Sequence, residues 1–158
     1  MMDRFERFTL AIMEASRYWH KIASDEMEQY GLKGPHALYL LTIDRFQSGI
    51  TAARLSDVCG KDKSDVSRAV ALMQEKGLVT RMDVNRTLYR SLLILTPAGK
   101  AAADHIRKRA QLAVDAAGYG ITEENRVIFY ESLESIVNNL RNISKDGLPN
   151  HKSFDTKE

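Results

Sequence analysis

The sequence predicts a mostly helical protein with a single small β hairpin. Apolar residues recur at helical spacing in six segments, and glycines or helix-capping residues separate those segments. The period changes to that of short strands only between residues 78 and 95. The composition, 44% hydrophobic and 28% charged in a chain of 158 residues, is typical of one globular domain with a substantial core.

Composition and motif content argue against several classes of protein. No apolar run approaches the roughly 18–20 residues of a membrane helix, and the charged N-terminal segment is unlike a secretion signal. The single cysteine, Cys59, permits neither a disulfide framework within the chain nor a cysteine-rich zinc site. The histidines show no metal-ligand spacing, and the chain has no phosphate-binding loop or nucleophile motif. We therefore expect a cytoplasmic protein with no cofactor, no metal and no enzymatic activity.

Two helices are expected ahead of the segment that carries the functional motif. A seam of apolar residues at alternating steps of three and four predicts one long helix over residues 4–29, which Gly31 ends. A second helix should run from Pro35 to about Gln47, because proline is tolerated in a first turn and Gly49 stops the pattern. The seam of the first helix consists of Phe5, Phe8, Ile12, Ala15, Trp19 and Ile22.

Two short helices separated by a four-residue turn then form a helix-turn-helix motif. Thr51 is expected to cap the first of them, over residues 52–59, because its hydroxyl can accept an unpaired N–H of the first turn. Asp62 is expected to cap the second in the same way, over residues 63–76. Residues 60–63 form the turn, which begins with a glycine suited to a left-handed conformation.

The second helix of this motif carries the residue types that read duplex DNA. Val66, Val70 and Met73 form an inner stripe, which leaves the opposite face of the first turns for polar contacts. Arg68 can bond guanine through two hydrogen bonds, the serines can reach a base or a phosphate, and the lysines can neutralise phosphates. The DNA-contacting residues predicted in this motif are Thr51, Lys61, Lys63, Ser64, Asp65, Ser67 and Arg68.

A basic β hairpin follows the helix-turn-helix. Residues 78–82 and 91–95 predict two strands, and the eight residues between them are long and polar for a hairpin loop. We expect this loop to project from the body and to place an arginine in the minor groove. The DNA contacts predicted in the loop are Asn85, Arg86 and Arg90.

Positive charge is concentrated around these two elements. Residues 51–100 hold nine Lys and Arg and five Asp and Glu, a balance of +4, which leaves −2 for the rest of a chain whose formal net charge is +2. A local site for a polyanion and an ordinary solvated basic surface account for this asymmetry equally well. The charge therefore favours DNA binding only in combination with the helix-turn-helix and the hairpin.

Two long helices complete the chain. Thr96 should cap the fifth helix, with Pro97 in its first position and Gly118 beyond its end. Thr122 should start the sixth helix, and the acids that follow it oppose the positive end of the helix dipole. The apolar face of the sixth helix consists of Val127, Tyr130, Leu133, Val137 and Leu140.

These motifs resemble those of the multiple-antibiotic-resistance regulator (MarR) family over about residues 4–144. The matching segments are TAARLS at 51–56, SDVSR at 64–68, EKGLVTR at 75–81 and LTPAGK at 95–100. The resemblance implies a winged helix-turn-helix that reads palindromic DNA and an obligate homodimer. It further implies, as for many members, repression that a small aromatic or anionic ligand relieves.

The resemblance also implies a domain organisation. Residues 1–34 and 97–144 would form an intertwined helical dimerisation region, built from the first, fifth and sixth helices of both subunits. Residues 35–96 would form the winged helix-turn-helix DNA-binding domain, and residues 145–158 a flexible tail. The expected fold class is therefore mostly α with a small β wing, a winged helix-turn-helix joined to intertwined dimerisation helices.

The hairpin loop departs from the family pattern. The family usually carries Asp-x-Arg or Asp-Arg-Arg in its wing, where the Asp positions the Arg. The corresponding slot here holds residues 87–89, Thr-Leu-Tyr, with Arg86 and Arg90 on either side. Asn85 or Asp83 would then take the orienting role.

The resemblance further implies a ligand pocket between the dimerisation and DNA-binding lobes. Polar and aromatic groups in the first two helices suit an aromatic or carboxylate ligand. Trp19 lies on the apolar seam, so we expect it in the dimer core instead. The candidate ligand-binding residues are Arg17, His20, His36 and Tyr39.

We expect a homodimeric, sequence-specific DNA-binding transcription regulator, a repressor released by a small ligand. One alternative is a winged-helix protein–protein adaptor, for which the long helices would be the docking surface. The other is a thiol-based redox regulator that uses Cys59. A sensor thiol must be exposed, whereas Cys59 is expected beside Val58 on the buried stripe of its helix, which favours a core role.

Overall fold

The computed structural model describes residues 2–83 and 91–149, and for Asp83 it describes the backbone alone. Within these residues the chain forms six α-helices and one two-stranded antiparallel sheet. A short 3₁₀ helix, Glu28–Tyr30, follows the first α-helix. The elements are α1 (Arg4–Met27), α2 (His36–Arg45), α3 (Ala52–Cys59), α4 (Lys63–Glu75), β1 (Val79–Asp83), β2 (Ser91–Leu95), α5 (Pro97–Ala117) and α6 (Glu123–Asp146).

Local capping interactions explain where the helices begin. Thr51 Oγ1 accepts a hydrogen bond from the backbone N–H of Arg54 at 3.1 Å, which confirms the predicted cap of α3. Asp62 and Thr122 cap α4 and α6 in the same way, as predicted. Asp3 caps α1 through a reciprocal pair of bonds with Glu6, a capping box that the sequence analysis did not identify.

Several element ends differ by one or two residues from the sequence-based expectation. The first helix ends at Met27 rather than at 29, because the chain tightens into the 3₁₀ turn before Gly31 adopts a left-handed conformation (φ 65°). Strand β1 begins at Val79 rather than at Leu78, because the Leu78 N–H bonds to the Met73 carbonyl and closes α4. The second helix is shorter than expected, and α6 runs two residues further.

The core lies where α2, α3, α4, the sheet and the start of α5 meet. The inner stripe of α4 is buried as predicted, with Val66, Val70 and Met73 all fully inaccessible. Strand β2 alternates between buried and half-buried residues and pairs with β1. Ile50 adds a further bridge to Leu93 that the sequence analysis missed, with N–H···O distances of 3.1 and 2.8 Å. This bridge joins the start of the helix-turn-helix to the base of the hairpin.

The chain divides into two compact units, one up to Val114 and one from Asp115 onward. The first unit contains the helix-turn-helix and the core. In the second, α6 buries none of its residues, and its apolar face is exposed along its whole length, from Val127 (49% exposed) to Leu140 (45%). The seam of α1 is similarly exposed within the single chain, as at Phe8 and Trp19. None of the described helices is long and apolar enough to cross a bilayer.

Candidate nucleic-acid interface

The turn between α3 and α4 is fixed by backbone and side-chain hydrogen bonds. Gly60 adopts a left-handed conformation (φ 59°), which glycine reaches without the steric penalty that a Cβ atom would incur. The Lys61 N–H bonds to the Ser56 carbonyl at 3.1 Å, and the buried Ser56 hydroxyl donates back to the Lys61 carbonyl at 2.5 Å. The angle between the two helices is therefore set locally, and α4 presents one face outward.

The outward face of α4 carries most of the residues that the sequence predicts for DNA contact. Lys61 and Lys63 are exposed beside the turn, and Ser64 and Ser67 are exposed on the first two turns of the helix. The Arg68 side chain is 75% exposed on the same face. Thr51 lies apart from this group, half-exposed at the start of α3, where its hydroxyl is used as a cap.

Ser64 is tied to the helix cap. Its hydroxyl donates to Asp62 Oδ2 at 3.0 Å, and its backbone N–H donates to Asp62 Oδ1 at 3.3 Å. These two bonds hold the pKa of the Asp62 carboxyl below its usual value, so the cap stays ionised at neutral pH. The Ser64 hydroxyl thus has its donor occupied and its lone pairs free, which suits it to accept a hydrogen bond.

Asp65 connects α4 to the core. Its Oδ2 accepts a hydrogen bond from the hydroxyl of Tyr39 on α2 at 2.7 Å, and Tyr39 is fully buried. Its Oδ1 lies 3.8 Å from an Arg68 terminal nitrogen one turn along the helix. An ion pair this exposed contributes only about 0–1 kcal/mol, so its role in stability is small.

Two of the four candidate ligand residues lie in the core beside that bond. His36 is 8% exposed, and its Nδ1 accepts the backbone N–H of Lys33 at 3.2 Å. Its ring stacks on Tyr39, with the centroids 6.1 Å apart. Burial lowers the pKa of His36, and Lys33 adds to the effect while Asp65 opposes it. The ring is therefore neutral at pH 7.

The other two candidates are exposed on α1. The Arg17 guanidinium lies over the ring of Tyr18, 4.8 Å from its centroid, and donates to its hydroxyl at 3.1 Å. His20 Nδ1 is 2.6 Å from the Ser16 carbonyl oxygen one turn earlier. Both residues thus make contacts within their own helix.

A cavity of about 200 Å³ lies between α1, α2 and α5, and none of the four candidates lines it. Its walls are mainly apolar, and Trp19, which the sequence analysis assigned to a dimer core, is among them. Glu26 and Arg109 supply the charged groups of the wall, with Arg109 Nε 2.7 Å from Glu26 Oε1. The remaining lining residues are Ile22, Ala23, Met27, Ala37, Leu38, Leu41, Ile106, Ala110 and Ala113.

Arg81 joins the base of the hairpin to α4, the second helix of the helix-turn-helix motif. This residue of β1 donates to Gln74 Oε1 on α4 at 3.3 Å and to Ser91 Oγ on β2 at 2.9 Å. The two strands at the base of the hairpin are therefore connected to α4. The predicted loop contacts, Asn85, Arg86 and Arg90, lie outside the described residues.

Cys59 does not lie fully on the buried stripe of α3, contrary to the sequence-based expectation. Its side chain is half-buried at the edge of the core, and its thiol donates to Thr42 Oγ1 at 3.6 Å. Of the residues expected on that stripe, Leu55 is fully buried and Val58 is half-buried, and Ser56 is buried as well. Cys59 follows Leu55 by four residues and so lies on the same face of α3, but it is the last residue of the helix, where the core ends and the Gly60 turn begins.

Residues 30–86 match the model of the MarR family, a segment that includes α2, α3, α4 and β1. No curated protein sequence matches the chain.

Solved MarR structures share the fold over most of the chain. A MarR transcriptional regulator from Methanosarcina mazei is 25% identical with a TM-score of 0.76, over 90% of this chain and 94% of its own. One from Silicibacter pomeroyi is 26% identical with a TM-score of 0.67, over 82% and 86%. A regulator from Listeria monocytogenes complexed with 26-mer DNA is 21% identical with a TM-score of 0.77, over 96% and 100%. The helix-turn-helix segment of this chain therefore matches that of the MarR family, and the chain shares its fold with solved MarR transcriptional regulators.

Proposed function

We propose that this protein is a homodimeric transcription regulator that binds a palindromic DNA operator. The outer face of α4 carries the proposal. Its inner stripe is fully buried, so the helix is rigidly held, while the exposed side of its first two turns presents Ser67 and Arg68 beside two lysines. Short hydroxyl side chains and arginine are the groups that reach base edges in the major groove, and lysines neutralise phosphates.

The comparison supports this function. The Listeria regulator, whose fold matches over 96% of this chain, was solved with DNA bound. The MarR family model matches the part of this chain that contains the recognition helix. A protein adaptor would have no use for a basic, serine-bearing face on α4, so we favour DNA as the partner.

The exposed apolar faces of α1 and α6 support a homodimer. Large apolar side chains on both helices, such as Phe8 on α1 and Leu133 on α6, are more than a third exposed in the single chain. A contiguous apolar face of this kind marks an interaction surface in a soluble protein. A two-fold dimer would present two recognition helices to half-sites about one helical turn apart, on the order of 34–36 Å. The division into dimerisation helices and a DNA-binding domain follows from this proposal.

The cavity between α1, α2 and α5 supports regulation by a small ligand. Its apolar walls suit an aromatic ring, and the Arg109 guanidinium could meet an anionic group, since only its Nε is bonded to Glu26 among the contacts described. A ligand there would touch α2, which is joined to the recognition helix through the Tyr39–Asp65 bond. Release of a repressor from its operator is the regulation we infer.

Fluorescence anisotropy with labelled duplexes tests the proposal. The duplexes are the intergenic DNA beside this protein's own gene and a palindrome selected from random sequences, each measured over a series of salt concentrations. We expect saturable binding of one dimer per duplex that random DNA does not displace, with an affinity that falls as salt rises. Binding that random DNA competes away equally, for every selected duplex, would contradict sequence-specific regulation and favour the adaptor.

A further inference from the structure

The exposed face of α4 is expected to be basic if it contacts DNA, yet it carries one acid, Asp65. The Asp65 side chain is 49% exposed, between the exposed residues Ser64 and Arg68. A carboxylate that faces DNA repels phosphates and therefore lowers non-specific affinity. A carboxylate at this position is therefore expected to make a contact that a neutral side chain cannot make.

Asp65 is held in place from inside the protein. The Tyr39 hydroxyl donates to Asp65 Oδ2 at 2.7 Å, and the Tyr39 ring is fully buried and stacked on His36. Burial and the contact with Asp65 raise the pKa of the Tyr39 hydroxyl far above its usual value. Tyr39 thus remains protonated, and a donor, at neutral pH, and its bond fixes one carboxylate oxygen.

The other carboxylate oxygen, Oδ1, accepts no hydrogen bond among the described contacts, and the side chain is half-exposed. Asp65 Oδ1 lies 3.8 Å from the Arg68 terminal nitrogen, so an acceptor and a donor stand side by side one turn apart. In the major groove, arginine donates to guanine, and a carboxylate accepts from the N4 amino group of cytosine. The same carboxylate is repelled by the O6 and O4 acceptors of guanine and thymine.

We propose that Asp65 is a specificity-determining residue that accepts a hydrogen bond from the amino group of an operator cytosine, and that Tyr39 is its positioning residue. The inference rests on the proposed DNA-binding function. Tyr39 fixes the direction of the carboxylate before DNA is bound, so the side chain does not lose that freedom on binding. A core tyrosine of α2 thereby contributes to base selection without touching DNA.

Two substitutions separate this role from a structural one. Asp65→Asn keeps the size of the side chain and an oxygen that can accept from Tyr39, but it replaces the other oxygen by an NH2 group that donates rather than accepts. Tyr39→Phe keeps the buried ring and removes only the hydroxyl that holds Asp65. Tyr30→Phe is the matched control, because it makes the same chemical change at a half-buried tyrosine in the 3₁₀ turn after α1.

The experiment measures the affinity of each protein for the selected palindrome and for every single base-pair substitution in its half-site. The wild type should prefer cytosine at one position by roughly tenfold. Asp65→Asn should lose that preference, because its NH2 group cannot accept from the cytosine amino group, with the other positions unchanged. Tyr39→Phe should weaken the preference several-fold at the same position, and Tyr30→Phe should reproduce the wild-type profile.

Three results would overturn the inference. The first is an Asp65→Asn profile identical to that of the wild type. The second is a loss that is uniform over all positions, because a merely structural residue acts in that way. The third is a Tyr39→Phe profile that retains the full preference. A wild type that selects no sequence at all would instead refute the proposed function itself, so the two failures are distinguishable.

Discussion

The backbone of Gly99 packs directly on the carbonyl group of Leu78. A Cβ atom at residue 99 would lie 1.9 Å from that carbonyl oxygen, far inside any contact distance that atoms adopt. Thr96 keeps the two backbone segments close together. Its hydroxyl donates to the Gly77 carbonyl at 2.6 Å and accepts the Gly99 N–H at 3.0 Å. The start of α5 is thereby fixed to the end of the recognition helix.

Gly99→Ala should destabilise the protein by about 1–3 kcal/mol, because the new methyl group forces α5 away from Leu78. Helix propensity alone predicts the opposite sign, a gain of roughly 1 kcal/mol for alanine over glycine. Urea denaturation of the two proteins measures the difference. Ala101→Gly, at an exposed position of the same helix, is the control and should cost only the propensity difference. A stabilised Gly99→Ala protein would show that the close approach is not maintained in solution.

Arg68→Ala should weaken operator binding by about 1–3 kcal/mol and relax the preference at one base pair, because it removes a two-bond contact to guanine. Arg68→Lys keeps the charge but not the planar fork, so it should lose most of the same preference and retain binding to random DNA. Anisotropy titrations of both duplex types distinguish these effects. Lys108→Ala, an exposed cation of α5, is the control. Unchanged operator affinity in Arg68→Ala would exclude the assigned role.

The parts of the fold that the sequence predicted are those that depend on neighbouring residues. A cap such as Thr51 bonds three residues ahead, and the buried stripe of α4 repeats within one helix, so both are visible as patterns. The Tyr39–Asp65 bond spans 26 residues, and no pattern specifies which of many tyrosines meets which acid. The ligand candidates were chosen by residue type along two helices, whereas the cavity is defined by how α1, α2 and α5 pack.

Leu133→Glu should shift the protein from dimer to monomer, because it places a charge in the exposed apolar face of α6. Sedimentation equilibrium at micromolar concentration measures the change. Asn139→Glu introduces the same group at an exposed position outside that face and should leave the dimer intact. Operator affinity should fall with Leu133→Glu alone, since one recognition helix then reads one half-site. A wild type that is monomeric at these concentrations would contradict the proposed assembly.

Filling the cavity should separate ligand response from DNA binding. Ala110→Met adds three heavy atoms to a wall of the 200 Å³ space, distant from the α4 face. We expect operator affinity to be retained and release by an aromatic carboxylate, found by screening, to be lost. Ala101→Met adds the same side chain to an exposed position of α5 and is the control. A ligand that releases the Ala110→Met protein from the operator as readily as the wild type would have to bind outside this cavity.

Stability should fall as the pH is lowered through the ordinary pKa of histidine. Burial lowers the pKa of His36 below its usual value of 6.5, so the unfolded chain binds a proton that the folded protein resists. The free energy of unfolding therefore keeps its full value above pH 6.5 and decreases below it. Lys33 adds to this effect on the pKa of His36, and Asp65 opposes it.

Urea denaturation at about pH 7.5 and about pH 5.5 measures the decrease. His36→Asn is the matched variant, because its side chain can still accept the Lys33 N–H but does not titrate. It should be less stable than the wild type at the higher pH, since the stacked ring is lost, and should lose less on acidification. If the free energy of unfolding decreases equally in the two proteins, a group other than His36 causes the loss of stability at low pH. Because His36 stacks on the tyrosine that holds Asp65, protonation in this range should also weaken operator discrimination before the protein unfolds.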